Sequence, residues 1–159
     1  MTDQEPPAAA ADLVGSWRLV DWTMTMGDRT RRPWGGKATG LLTYTDDGRM
    51  WAALMATDRP DVPTRTLSAA PPLMRAAAAA GFVIYAGSYS IDGGDVIHHV
   101  EISLLPNWVG TSERRHIDWI QTDNGLDLEL TTPPTDTDGG RVFVQWLRWT
   151  RISDGEASA

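Results

Sequence analysis

Apolar residues recur at every second position along most of this chain, a period that belongs to strands rather than helices. Leu126, Leu128 and Leu130 alternate with Asp127, Glu129 and Thr131. Val20, Trp22, Met24 and Met26 alternate in the same way. The pattern predicts strands at Leu13–Met26, Leu41–Tyr44, Met50–Met55, Phe82–Ile91, Val96–Leu105, Arg114–Ile120, Leu126–Thr132 and Arg141–Arg151. Turn signals stand between them at Asp47-Gly48, at Asp92-Gly93-Gly94-Asp95 and at Thr122-Asp123-Asn124-Gly125. Gly and Asn accept the positive φ that tight hairpins require. Pro106 closes the fifth strand, and Pro133–Gly140 forms the loop before the last.

One segment leaves the period of two. Ser68–Gly81 has Pro71 and Pro72 near a first turn, five alanines from Ala76 to Ala80, and Gly81 at the stop, which predicts a short helix. The expected fold is therefore all-β, an eight-stranded antiparallel up-and-down β-barrel. Its one helix lies between the third strand (Met50–Met55) and the fourth (Phe82–Ile91) and is expected to cap a barrel mouth. Eight strands enclose a lumen that side chains fill or that holds one small ligand.

Composition narrows the chemistry. The length of 159 residues fits one domain, placed at residues 12–152, with a disordered arm at 1–11 and a disordered tail at 153–159. There is no cysteine, so thiol nucleophiles, disulfides and Cys-ligated metals are excluded. The net charge of −7 argues against nucleic acid and anionic membrane surfaces as partners. No basic, apolar leader and no long apolar run is present, so a cytoplasmic protein is expected. Eight tryptophans against two phenylalanines and three tyrosines suggest a tightly built barrel or a ligand cavity, because each indole adds a large apolar body and one N–H that needs a partner.

Side chains alternate across a strand, which assigns the lumen. On the fifth strand Val96, His98, Val100, Ile102 and Leu104 share the apolar face, so His98 is expected inward and His99 outward. On the fourth, Val83, Tyr85, Gly87, Tyr89 and Ile91 face inward. Pairing across Asp92–Asp95 sets Tyr89 opposite His98 and Tyr85 near Ile102. On the sixth, Arg115, Ile117 and Trp119 share the inner face, where Arg115 is placed to meet a carboxylate, enolate or phenolate, or else to reach out to solvent. Pro106-Asn107-Trp108-Val109-Gly110-Thr111 reads as a loop in which Trp108 folds over a mouth as plug or gate. Trp146 and Trp149 have opposite parity, so one must face outward, against the helix or a second subunit of a homodimer.

Several chemistries lack a handle. Adjacent strand residues His98 and His99 point to opposite faces and do not share a metal, and the acidic pairs Asp46/Asp47 and Asp136/Asp138 have no calcium-loop spacing. No phosphate-binding glycine loop and no nucleophile elbow occurs. No metal and no cofactor is called for.

Gly15-Ser16-Trp17, with Arg148 or Arg151 near the end, resembles the lipocalin and calycin signature, in which a late arginine covers a tryptophan at the barrel bottom. The stretches Leu13–Val20, Gly40–Tyr44 with Asp47–Met50, Tyr85–Tyr89, His98–Glu101 and Pro106–Thr111, in one order over residues 12–152, resemble the bacterial and fungal lipocalin-like domain family. The resemblance implies the barrel more than an activity, and the missing disulfides agree with cytosolic members. The G-x-W-x-G-x-G run of haem-binding nitrobindins is absent.

The expected function is binding of a small apolar or aromatic molecule in the cavity. One version is a cofactor-free isomerase, cyclase or dehydratase. In it His98 shuttles a proton and Tyr89 or Tyr85 stabilises developing charge, with Arg115, Trp108, Trp119, Asn107, Val100 and Ile102 contacting the ligand. The other version is a carrier or sensor without turnover.

Overall fold

The computed structural model describes residues 10–137 and 139–153. Of the expected unstructured ends, residues 1–9 and 154–159 lie outside the described residues, as does Asp138. Ala10 and Ala11 instead open a one-turn helix, α1 (Ala10–Leu13). The strands are β1 (Gly15–Met26), β2 (Arg29–Arg31), β3 (Ala38–Tyr44), β4 (Arg49–Ala56), β5 (Phe82–Asp92), β6 (Asp95–Ser103), β7 (Ser112–Thr122), β8 (Gly125–Thr131), β9 (Thr135–Asp136) and β10 (Val142–Arg151). Eight of them, β1-β3-β4-β5-β6-β7-β8-β10, form an antiparallel ring that closes where β10 pairs β1. β2 and β9 are short additions along β1 and β10. The predicted helix is α2 (Pro72–Ala80), between β4 and β5. Only its Ala78 is buried, and Leu73 stays exposed. The α2 end is tied to the barrel by the Trp34 Nε1–H, which donates to the Ala80 carbonyl at 3.2 Å.

One end of the barrel is sealed. Trp17 is fully buried, and its Nε1–H donates to the Leu13 carbonyl at 2.9 Å. The Arg151 guanidinium lies over the indole, 4.2 Å from the ring centre, and donates to the carbonyls of Val14 and Asp12, both at 2.7 Å. Arg151 is thus the covering arginine. Arg148 points to the other face of β10, where it pairs with Asp127 at 2.8 Å. Trp119 packs 6.0 Å from Trp17, in the same plug.

Two bulges reset the pleat, and both correct the parity expected from sequence. In β1 the register slips between Leu19 and Asp21, so Trp17 and Trp22 both reach the interior although they differ in parity. Val20, which shares parity with Trp22, is 52% exposed. In β6 the slip lies opposite Ala86 and Gly87, where Gly87 pairs with Val100 and Ala86 with Ile102. A bulge gives one strand an extra residue and flips those beyond it. Ile102 and Leu104 therefore turn outward, Ile102 being 69% exposed, and Tyr85 sits opposite Ser103 rather than near Ile102. Gly87 makes this bulge possible, since a Cβ there would run into the His99 carbonyl oxygen. Gly87→Ala is expected to lower stability by about 1–3 kcal/mol, because overpacking must move backbone. Urea unfolding measures it, and an unchanged midpoint would refute the close approach. On β10 the parity question resolves: Trp149 is inward and buried, and Trp146 lies on the outer face.

Candidate functional site

The end opposite the Trp17 plug opens into a cavity of about 70 Å³. Its walls are apolar, from Leu42, Leu54, Val83, Leu130 and Leu147, with Trp22 and Trp108 nearer the loops. Polar groups enter from four strands: Tyr85 on β5, His98 on β6, Arg115 on β7, and Gln145 and Trp149 on β10. Thr132, just past β8, joins them. No α2 residue lines this space, so the helix stands beside the mouth rather than inside it.

His98 is a buried ionisable group, 1% exposed. Its two ring nitrogens are both engaged, Nε2 with the Tyr44 hydroxyl at 2.6 Å and Nδ1 with the Tyr85 hydroxyl at 3.0 Å. Burial, and then the positive charge of Arg115 and of His99, push its pKa down to about 3. The imidazole is therefore neutral at pH 7, with one N–H and one acceptor nitrogen. Burial likewise holds Tyr44 well above the ordinary phenol range. It raises Tyr85 too, against the opposing pull of Arg115.

Hydrogen-bond accounting then sets the direction of this chain. Tyr44 is 1% exposed, and His98 is its one hydrogen-bond partner among the described residues. A buried hydroxyl proton without an acceptor is costly. The arrangement that satisfies every member has Tyr44 donating to Nε2 and Nδ1–H donating to the Tyr85 oxygen. The Tyr85 proton is then left to donate elsewhere, and Tyr85 lines the cavity.

The remaining polar groups are also donors. Arg115 is 9% exposed; one of its nitrogens donates to the Arg114 carbonyl at 2.7 Å and lies 3.5 Å from Glu113. Reaching out to solvent does not describe it. Gln145 accepts from the Trp22 Nε1–H at 2.9 Å through Oε1, which leaves its amide N–H groups as its other polar face. The Thr132 oxygen accepts the Gln145 backbone N–H at 2.9 Å, leaving its proton to give. Trp149 is 2% exposed, and its indole N–H is buried with no acceptor among the described residues.

The expected site residues divide. Tyr85, His98, Arg115 and Trp108 meet at the cavity, with the Trp108 ring edge-on to Tyr85 at 5.6 Å. Tyr89 does pair with His98 across the strands, yet its hydroxyl donates to the Thr45 carbonyl at 2.9 Å and its ring abuts Tyr44. Tyr44 takes the histidine bond expected of Tyr89. Val100 is buried in the core, Trp119 belongs to the plug, and Asn107 and Ile102 are exposed, so none of these four lines the cavity. His99 faces outward between Ser90 and Ser112, away from His98. Tyr44, Trp149 and Gln145 were missed as site residues. For Tyr44 a signal was available, since Leu42 and Tyr44 share the inward parity of β3.

A closed antiparallel barrel sealed at one end by tryptophan and arginine, with an apolar cavity at the other, defines a lipocalin-type β-barrel. The chain matches the model of the lipocalin-like domain over residues 14–152 and belongs to that family. No curated protein and no solved structure matches it. No helix among the described residues is long and apolar enough to cross a membrane.

Proposed function

We propose that the protein binds one small, largely apolar molecule in its barrel cavity, as a carrier or sensor. The carrying observation is the apolar-walled cavity with a fixed polar cluster at its inner end, the usual makeup of a small-molecule site. The state of His98 supports binding over turnover. An imidazole held near a pKa of 3 is a weak base at neutral pH, and both nitrogens already have partners. That weighs against an isomerase, cyclase or dehydratase using His98 as its proton shuttle. In this reading His98 positions the Tyr85 hydroxyl.

The test uses the neutral fluorophore N-phenyl-1-naphthylamine. Saturable one-to-one enhancement is expected with the native protein. It should disappear in Ala52→Phe, which puts a ring where a buried alanine lines the cavity. Absence of binding to the native protein, or equal binding to the variant, would overturn the reading.

A further inference from the structure

We infer that the ligand is an organic anion, its carboxylate held at the inner end of the cavity by Arg115, Tyr85 and Trp149 and its apolar part directed toward the mouth. This rests on the binding reading above and goes further by fixing the chemistry of the ligand's head.

The inventory of hydrogen-bond groups carries the inference. No carboxylate side chain lines the cavity, and the polar groups that do are dominated by donors. The Arg115 guanidinium has five N–H groups; one nitrogen donates to the Arg114 carbonyl and the side chain also bonds the Tyr85 hydroxyl, which leaves further N–H groups to give. Its neighbour Glu113 stands at 3.5 Å, beyond a good hydrogen bond, and leaves the fork unsaturated. The Trp149 indole N–H is buried and has no acceptor among the described residues, although Trp17, Trp22 and Trp34 each find one. Such an orphaned donor destabilises the empty barrel, and a ligand oxygen would satisfy it.

The Tyr44–His98–Tyr85 chain adds a third donor, and its direction follows from the burial of Tyr44. A neutral ligand with one carbonyl offers two lone pairs to three donors and leaves Arg115 with only the Glu113 carboxylate, at 3.5 Å, as its counter-charge. A carboxylate offers two oxygens with about four acceptor sites and matches the guanidinium fork. An ammonium ligand would face the like charge of Arg115 at that end. The rest of the lining, from Trp22, Val83, Leu54 and Leu147, is mostly apolar, with Gln145 beside Trp22, and takes a hydrocarbon or aromatic body.

Isothermal titration calorimetry of the full chain with 3-phenylpropanoate, 3-phenylpropanol and 3-phenylpropylamine tests this. The carboxylate is expected to bind about tenfold or more tighter than the alcohol, since hydrogen bonds to a charged group are the stronger ones. The amine is expected to bind weakest. Arg115→Met should erase the preference for carboxylate over alcohol. A second readout needs no folded Arg115 variant: in ¹⁵N-labelled native protein, the indole resonance that disappears in Trp149→Phe should move downfield with the carboxylate and not with the alcohol. Equal affinity for acid and alcohol, or an unmoved Trp149 resonance at saturation with acid, would overturn the anion inference while neutral binding kept the cavity reading standing. So would failure of all three compounds in a protein that still binds N-phenyl-1-naphthylamine. Failure of that neutral probe in the native barrel is the distinct outcome that removes the binding reading itself.

Discussion

Replacing Trp17 by alanine is expected to lower the unfolding free energy by about 3–5 kcal/mol, the range for truncating a buried large aromatic. The indole is fully buried and packs against Trp119 in the hydrophobic core. Its loss also removes the donor to the Leu13 carbonyl, in a residue that is itself wholly buried, and strands the Arg151 guanidinium that covers the ring. A cavity and an unpaired acceptor then add to the lost transfer energy, and a domain of this size has only about 5–15 kcal/mol to lose. Arg151→Ala removes the cover together with its exposed hydrogen bonds to the Val14 and Asp12 carbonyls while leaving the indole in place. It should lose less, on the order of 1 kcal/mol, because the arginine side is solvent-facing and cation–π contacts there are modest. Urea unfolding followed by tryptophan fluorescence and by far-ultraviolet dichroism measures both. A Trp17→Ala loss no larger than that of Arg151→Ala would mean that Trp17 does not seal the barrel.

Why was so much of this barrel visible in the residues? A strand buried on one face writes its orientation into a period of two, and β8 does so with Leu128 and Leu130 buried. The paired glycines at Asp92–Asp95 fixed the β5–β6 hairpin, and Tyr89 does fall opposite His98. The inward placing of His98 and Arg115 followed from the same alternation. The parity errors come from the bulges. A bulge shifts parity without leaving a mark in hydrophobicity, so Ile102 continued the apolar series on paper and emerged 69% exposed. Gly87 was the available hint, since a glycine inside a strand marks a bulge or a close backbone approach. The backbone of β6 comes up against it there.

The choice between Tyr44 and Tyr89 as the partner of His98 shows a different limit. Cross-strand pairing states which Cα atoms are opposite, and Tyr89 satisfies that. Hydrogen bonding depends on where long aromatic side chains end, and in a barrel the lumen brings β3 within reach of β6 across the interior. Tyr44 reaches His98 from a strand that is not its neighbour in the sheet. No pairing rule between adjacent strands contains that contact. Trp149 was legible only as half of an alternative, because parity separated it from Trp146 without saying which face of β10 was inner.

Lowering the pH from about 6.5 toward 3 is expected to destabilise the native protein through His98 by roughly 4–5 kcal/mol in total, at 1.36 kcal/mol per pKa unit. The sign follows from which state binds the proton. Unfolded, the imidazole titrates at its ordinary 6.5; folded, burial and the charge of Arg115 and His99 hold it near 3. Above 6.5 both states carry a neutral ring and the contribution is fully present. Between 6.5 and 3 only the unfolded chain takes up the proton, so stability falls as pH falls and levels once the folded ring also titrates. The folded protein has no way to accommodate the charge, since Tyr44 and Tyr85 are neutral and the nearby cation is Arg115. His98→Gln keeps a polar side chain between the tyrosines and removes the titration. Urea unfolding at half-unit steps from pH 7.5 to 4.5 should show the native curve steepening toward 1.36 kcal/mol per pH unit relative to the variant. That interval lies mostly above the ordinary carboxylate range, so the difference reports the histidine. Parallel curves for the two proteins would show that His98 accepts its proton in the folded state. A proton-shuttle role for it at neutral pH would then regain its physical basis.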